Sequence, residues 1–172
     1  MSFQQTVYVA QGFGVPGELY TDSPYIAAPY TIYTASHPEY NIIGATCCTV
    51  SSQGFCQAGG TGVFAGFLVD PKDQALYGSA GVPLNPTLTV NNYDLVECLT
   101  MGTIVVTLPA AAAIGDYVVY NTTTGAISTI TPTTPLAAGT AFANAVVALF
   151  TVGGAGLAVV QVNPTYIIPQ PA

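Results

Sequence analysis

Positive charge is almost missing from this sequence. Its 172 residues include no arginine, one lysine (Lys72) and one histidine (His37), and tryptophan is absent as well. Nucleic-acid binding needs clustered Lys or Arg to neutralise phosphates, so it is excluded as a partner chemistry. Polybasic attachment to anionic membranes fails for the same reason. Arginine clamps, Schiff-base chemistry and a phosphate-loop lysine are nearly or wholly out of reach. Eight Asp and Glu remain, and the formal net charge is −7.

Charge of either sign is scarce: 5% of residues, against about 25% in an ordinary soluble domain. Apolar residues reach 51% and the mean hydropathy is +0.53. A folded monomer of this size exposes on the order of 8,000 Å², which leaves roughly one charge per 900 Å². Either Thr, Ser, Asn and Gln cover the surface, or other subunits do. The length fits one domain, or a domain with an arm.

Other devices are missing too. Met1-Ser-Phe-Gln-Gln has no basic n-region and no apolar h-region, so no signal peptide is expected. Residues 141–162 are long enough to cross a bilayer, yet Asn144, Thr151, Gly153, Gly154 and Gly156 interrupt them and no Lys or Arg flanks them. Residues 146–152 and 157–162 read better as two buried strands around a glycine-rich turn. Cys47, Cys48, Cys56 and Cys98 form no C-x-x-C pair and, with His37, match no standard zinc spacing. They read as small buried apolar side chains, with Cys47 and Cys48 on opposite faces of a strand.

The motifs that are present lack the context their chemistry needs. Gly12-Phe-Gly14-Val-Pro-Gly17 matches G-x-G-x-x-G, but Pro16 lies inside it, Glu18 and Asp22 follow, and no helix is indicated. Asp70 with Asp73, and Asp94 with Glu97, are acid pairs three apart, which on strands face opposite ways and supply too few ligands for calcium. A Ser-His-Asp or Cys-His site would have to use His37, and no G-x-S-x-G elbow exists. No catalytic residue, no metal and no cofactor is expected. Glu97, Asp116 and His37 are the polar groups left to an enzyme or small-ligand reading.

Strand and turn residues dominate. Residues 42–50, 63–69, 83–90, 93–99, 102–108, 117–121, 126–131, 146–151 and 157–162 read as short strands, with residues 122–125 as a hairpin turn. Residues 109–114 could make one helical turn. The fold class is all-β: a small β-barrel or jelly-roll-like sandwich with an extended N-terminal arm. Residues 1–40 form the arm, rich in Gly, Pro and Tyr, where prolines argue against a regular strand. Residues 41–163 form the body and 164–172 an extended Pro-rich tail. Tyrosines offer contact area at low entropy cost, so the expected partner-contact residues are Gly14, Pro16, Gly17, Glu18, Tyr20, Tyr25, Tyr30 and Tyr33. Deleting residues 2–24 is expected to weaken partner binding more than it destabilises the body.

Several segments, in order, resemble one family. Gly14-Val-Pro-Gly-Glu18 with Asp22-Ser-Pro24 resembles its N-terminal arm. Asn41-Ile-Ile-Gly44 followed by Gly59-Gly-Thr-Gly-Val-Phe-Ala-Gly-Phe-Leu-Val-Asp-Pro-Lys72 resembles its central glycine-rich strand. Val96-Glu97, Met101-Gly-Thr-Ile-Val-Val106, Gly115-Asp-Tyr-Val-Val-Tyr-Asn121 and Thr124-Gly125 resemble its C-terminal barrel. The family is that of phage capsid cement, or decoration, proteins. The resemblance implies a non-enzymatic virion protein on the capsid exterior, made in the host cytoplasm. It implies a homodimer or homotrimer that bridges neighbouring major capsid subunits of the HK97 fold. The composition also allows another self-assembling β-subunit, of a tail, a fibre or a surface layer.

Overall fold

Runs of β-branched residues set the architecture. Thr103-Ile-Val-Val-Thr107 and Val118-Val119 restrict χ1 and fit a pleated surface better than a helix. The structure is a computed structural model that describes residues 14–20, 24–70 and 88–163. It holds nine strands: β1 (Ile26–Thr31), β2 (Cys47–Val50), β3 (Cys56–Ala58), β4 (Val63–Leu68), β5 (Leu95–Leu108), β6 (Tyr117–Asn121), β7 (Ile127–Ile130), β8 (Thr140–Leu149) and β9 (Gly156–Val162). All named pairings are antiparallel, in the order β3-β2-β4-β5-β9-β8-β6-β7, with β1 added on β5.

The fold is all-β and sandwich-like, not a closed barrel. The end strands β3 and β7 do not pair with each other, and β5 serves two halves in turn. Its first half lies between β1 and β4; its second half pairs with β9 along Gly102–Leu108. There are two cores, and the first draws on both halves. One gathers Phe67, Leu99, Ile104, Leu108, Val118, Val147 and Val160; the other gathers Ile32, Ile43, Leu68, Val90 and Val96. Cys47 faces the first core, while Cys48, Cys56 and Cys98 face the second, as strand alternation requires of the adjacent pair. All four are buried and free.

The hairpin Tyr117–Asn121 to Ile127–Ile130 forms where expected. Asn121 Oδ1 accepts from the N–H groups of Thr123 and Thr124, at 2.8 and 3.1 Å, and shapes its turn. β8 and β9 form the final pair, and no helix among the described residues is long and apolar enough to cross a membrane. Two differences stand out. Residues 93–99 and 102–108 are mostly one strand, because Gly102 continues the pairing instead of ending it. Residues 109–114 make no helical turn; Ala112 bridges Val152 by a reciprocal pair of backbone hydrogen bonds at 2.9 Å, which holds the segment extended. Of residues 83–90, only 88–90 are described, and the tail (164–172) and Lys72 lie outside the described residues.

A buried polar knot pins the approach to β2. Thr34 Oγ1 donates to Asn41 Oδ1 at 2.5 Å, and Asn41 Nδ2 donates to the Val90 carbonyl and to Asn92 Oδ1, both at 3.2 Å. Asn41 is fully buried. Asn41→Ala strands these partners away from water and should lower stability by about 1–3 kcal/mol. Urea denaturation of the two proteins measures this, and an unchanged midpoint would show the knot to be inert.

Candidate interaction surface

The expected contact residues divide into two groups. The first lies along the second half of β5. Gly17 N–H donates to the Val105 carbonyl at 2.8 Å, Val105 N–H to the Glu18 carbonyl at 2.9 Å, and Tyr20 N–H to the Thr103 carbonyl at 3.0 Å. Gly17 is buried, and Pro16 and Gly14 pack closely on Gly44 and Val105. Glu18 Oε2 accepts from the Val15 N–H at 3.2 Å, and the Tyr20 ring meets Phe150 edge-on at 6.0 Å. Residues 17–20 therefore pair with β5 as a strand would. Deleting residues 2–24 would therefore also remove these pairings with β5. The remaining residues of that stretch, 2–13 and 21–23, lie outside the described residues.

The second group follows β1. This strand forms despite Pro29, whose missing N–H is tolerable because β1 is an edge. It pairs with β5 on one side, and among the described residues no strand takes its other edge. Just past its end, Ile32 makes a parallel bridge to Cys56. Tyr30 turns inward against the second core. Tyr25 and Ile26 stand 52% and 54% exposed at the strand's start.

Tyr33 belongs to a cluster that no spacing in the sequence announces. Its ring stacks on Tyr93 at 5.0 Å and meets Phe55 at 5.8 Å, and Phe55 meets Tyr93 edge-on at 6.3 Å. Tyr93 N–H donates to the Ile32 carbonyl at 2.6 Å, which fixes one ring beside the other. Tyr93 is 65% exposed and Leu95, two residues on, is 63% exposed. Lost hydration and the neighbouring Tyr33 push the Tyr93 hydroxyl above its ordinary range, so it stays a neutral donor. The result is an outward aromatic and aliphatic patch beside the open edge of β1.

No Lys or Arg lies among the described residues, so this surface offers ionic contacts from carboxylates and one histidine alone. His37 Nδ1 sits 2.8 Å from Glu39 Oε1, and that hydrogen bond holds the Glu39 carboxyl below its usual range. The Asp116 carboxylate caps its own turn by accepting from the Ala113 N–H at 2.8 Å. Glu97 is exposed on β5 opposite Pro29. These three polar groups thus have separate structural partners, and no hydrogen bond joins one to another. A shallow groove of about 240 Å³ between Tyr40, Ile42, Thr107 and Ile127 is walled almost wholly by apolar atoms.

A family model described as structural cement protein (E217 gp24/Pam3 gp6) matches residues 3–163. No curated protein matches. Four chains of solved structures do. One, from the capsid of Myoviridae phage XM1, superposes with a TM-score of 0.61 at 18% identity, over 95% of this chain and 98% of its own. At that identity the likeness is one of fold.

Proposed function

The chain belongs to the structural cement protein family of phage capsids, and from that premise we propose that it bridges neighbouring major capsid subunits from outside the shell, without catalysis. The observation that supports this reading is the patch of exposed Tyr93 and Leu95 with half-buried Tyr33 and Phe55, beside an edge of β1 that no strand among the described residues takes. Rigid aromatic rings carry binding energy at little entropic cost. An open edge supplies main-chain hydrogen bonds to a partner strand. Tyr25 and Ile26 stand exposed at the other end of β1. The partner is a major capsid protein of the HK97 fold, and the chain acts as a homodimer or homotrimer so that several weak contacts add by avidity. With no Lys or Arg among the described residues, docking depends little on salt.

Purified protein mixed with expanded empty capsids and imaged by electron cryomicroscopy tests this. Ordered density at the junctions between capsomers is expected, and capsids free of ordered density would end the proposal. Tyr93→Ala combined with Leu95→Asp should strip the protein from capsids while changing stability by less than about 1 kcal/mol, since both side chains are largely exposed. Occupancy equal to wild type would remove the patch from the interface. The open edge of β1 also favours a second reading, a subunit that polymerises on its own. Light scattering of the pure protein separates the two: a closed dimer or trimer fits cement, and extended polymers fit the alternative.

A further inference from the structure

The second core contains a constellation that capsid binding does not use. Cys48 on β2, Cys56 on β3 and Cys98 on β5 bring their Sγ atoms within 4.8 Å of one another, and those of Cys56 and Cys98 are 3.4 Å apart. Each residue is 0% exposed. We propose that this trio is a structural binding site for one soft, thiophilic metal ion in three-coordinate geometry, with monovalent copper as its representative.

Geometry comes first. Metal–thiolate bonds of about 2.3 Å set the three sulfurs of a trigonal site roughly 4.0 Å apart. The observed separations, from 3.4 Å to no more than 4.8 Å, bracket that value, so small side-chain shifts suffice. The donors then select the ion. All are sulfur, and no imidazole or carboxylate among the described residues joins the group. Hard cations that need oxygen are excluded. Tetrahedral structural zinc lacks its fourth ligand. Soft ions that accept low coordination remain.

The surroundings point the same way. Ile32, Ile43, Leu68, Val90 and Val96 share this core and surround the trio with apolar side chains. Uncompensated thiolates are costly there, and a bound cation removes most of that cost. Copper(I) binding displaces two protons to solvent, leaving two thiolates and one thiol on the ion with one net negative charge. Copper stays monovalent throughout. Cys56 lies on β3, which is three residues long and pairs with β2 alone among the named strands. A bound ion would fasten β2 and β3 to β5.

The whole chain, reduced with a phosphine under argon, is titrated with copper(I) supplied as its bathocuproine disulfonate complex. One copper per chain and a near-ultraviolet sulfur-to-copper band are expected. Cys47→Ala, facing the other core, should bind as wild type does. Cys48→Ala, Cys56→Ala and Cys98→Ala should each weaken binding by more than about tenfold. Because alanine at these sites can itself unfold the chain, the wild-type melting temperature is read with and without copper and should rise with it. The proposal is overturned if folded, reduced wild type leaves the copper with the chelator, if the triple variant still binds it, or if Cys47→Ala loses it equally.

Discussion

Phe67→Ala is expected to lower the unfolding free energy by about 3–5 kcal/mol, the cost of emptying a fully enclosed aromatic site. Phe67 is 0% exposed and sits at the middle of the strand network, with its backbone opposite Cys47 of β2 and Leu99 of β5. Its ring meets Phe64 edge-on at 6.2 Å. No neighbour can fill the space without dragging backbone that is hydrogen-bonded on both sides. A domain has about 5–15 kcal/mol to lose, so this is a large share of the whole. Guanidinium denaturation gives the number. A loss below about 1 kcal/mol would mean that the site collapses freely, contrary to the packing described. Phe67→Leu, which keeps most of the volume, should recover the larger part.

Gly44→Ala is the second large effect, and it tests how residues 14–20 belong to the body. Gly44 has φ +67°, and a Cβ there would meet the Gly17 nitrogen and approach the Pro16 carbonyl carbon to 2.5 Å. A Cβ at Gly17, at φ +86°, would likewise collide with the Ile43 side chain and come within 2.9 Å of the Asp70 nitrogen, so two backbones cross with no space for a side chain. Gly44 also accepts from the Thr107 N–H at 2.9 Å, so it cannot retreat. Left-handed strain and the collision together should cost about 2–5 kcal/mol. The same variant should release residues 14–20 from β5. Hydrogen exchange reads this directly, because the Gly17 and Val105 amides lose their protection together. Unchanged protection at both would show that the crossing has slack.

What the sequence made legible, and what it did not, follows from physical range. The β6–β7 hairpin was readable because Asn121, Thr122–Thr124 and Gly125 make the turn locally and β-branched or aromatic residues flank it. β9 and the second part of β8 were readable for similar reasons. β1 was not: Ala27, Ala28 and Pro29 have poor strand preference, and the segment is a strand because β5 offers it an edge. β3 is too short to carry a pattern. Of the proposed contact surface, the Gly-, Pro- and Tyr-rich composition of residues 1–40 pointed to Tyr25 and Tyr33, but Phe55 and Tyr93 join Tyr33 only through tertiary pairing. The cysteine trio was invisible for the same reason. Adjacent Cys47 and Cys48 could be assigned to opposite faces, yet nothing local says that Cys56 and Cys98 arrive beside Cys48.

The double duty of β5 has a thermodynamic consequence. Its fourteen residues hold β1 and β4 at one end and β9 and residues 17–20 at the other. Neither core can come apart without baring the strand that completes the other. The two halves therefore melt as a single cooperative unit, with one calorimetric transition whose van't Hoff and measured enthalpies agree. A lesion such as the loss of Phe67 or Asn41 is then shared by the whole molecule, and no half survives as an independently folded remnant.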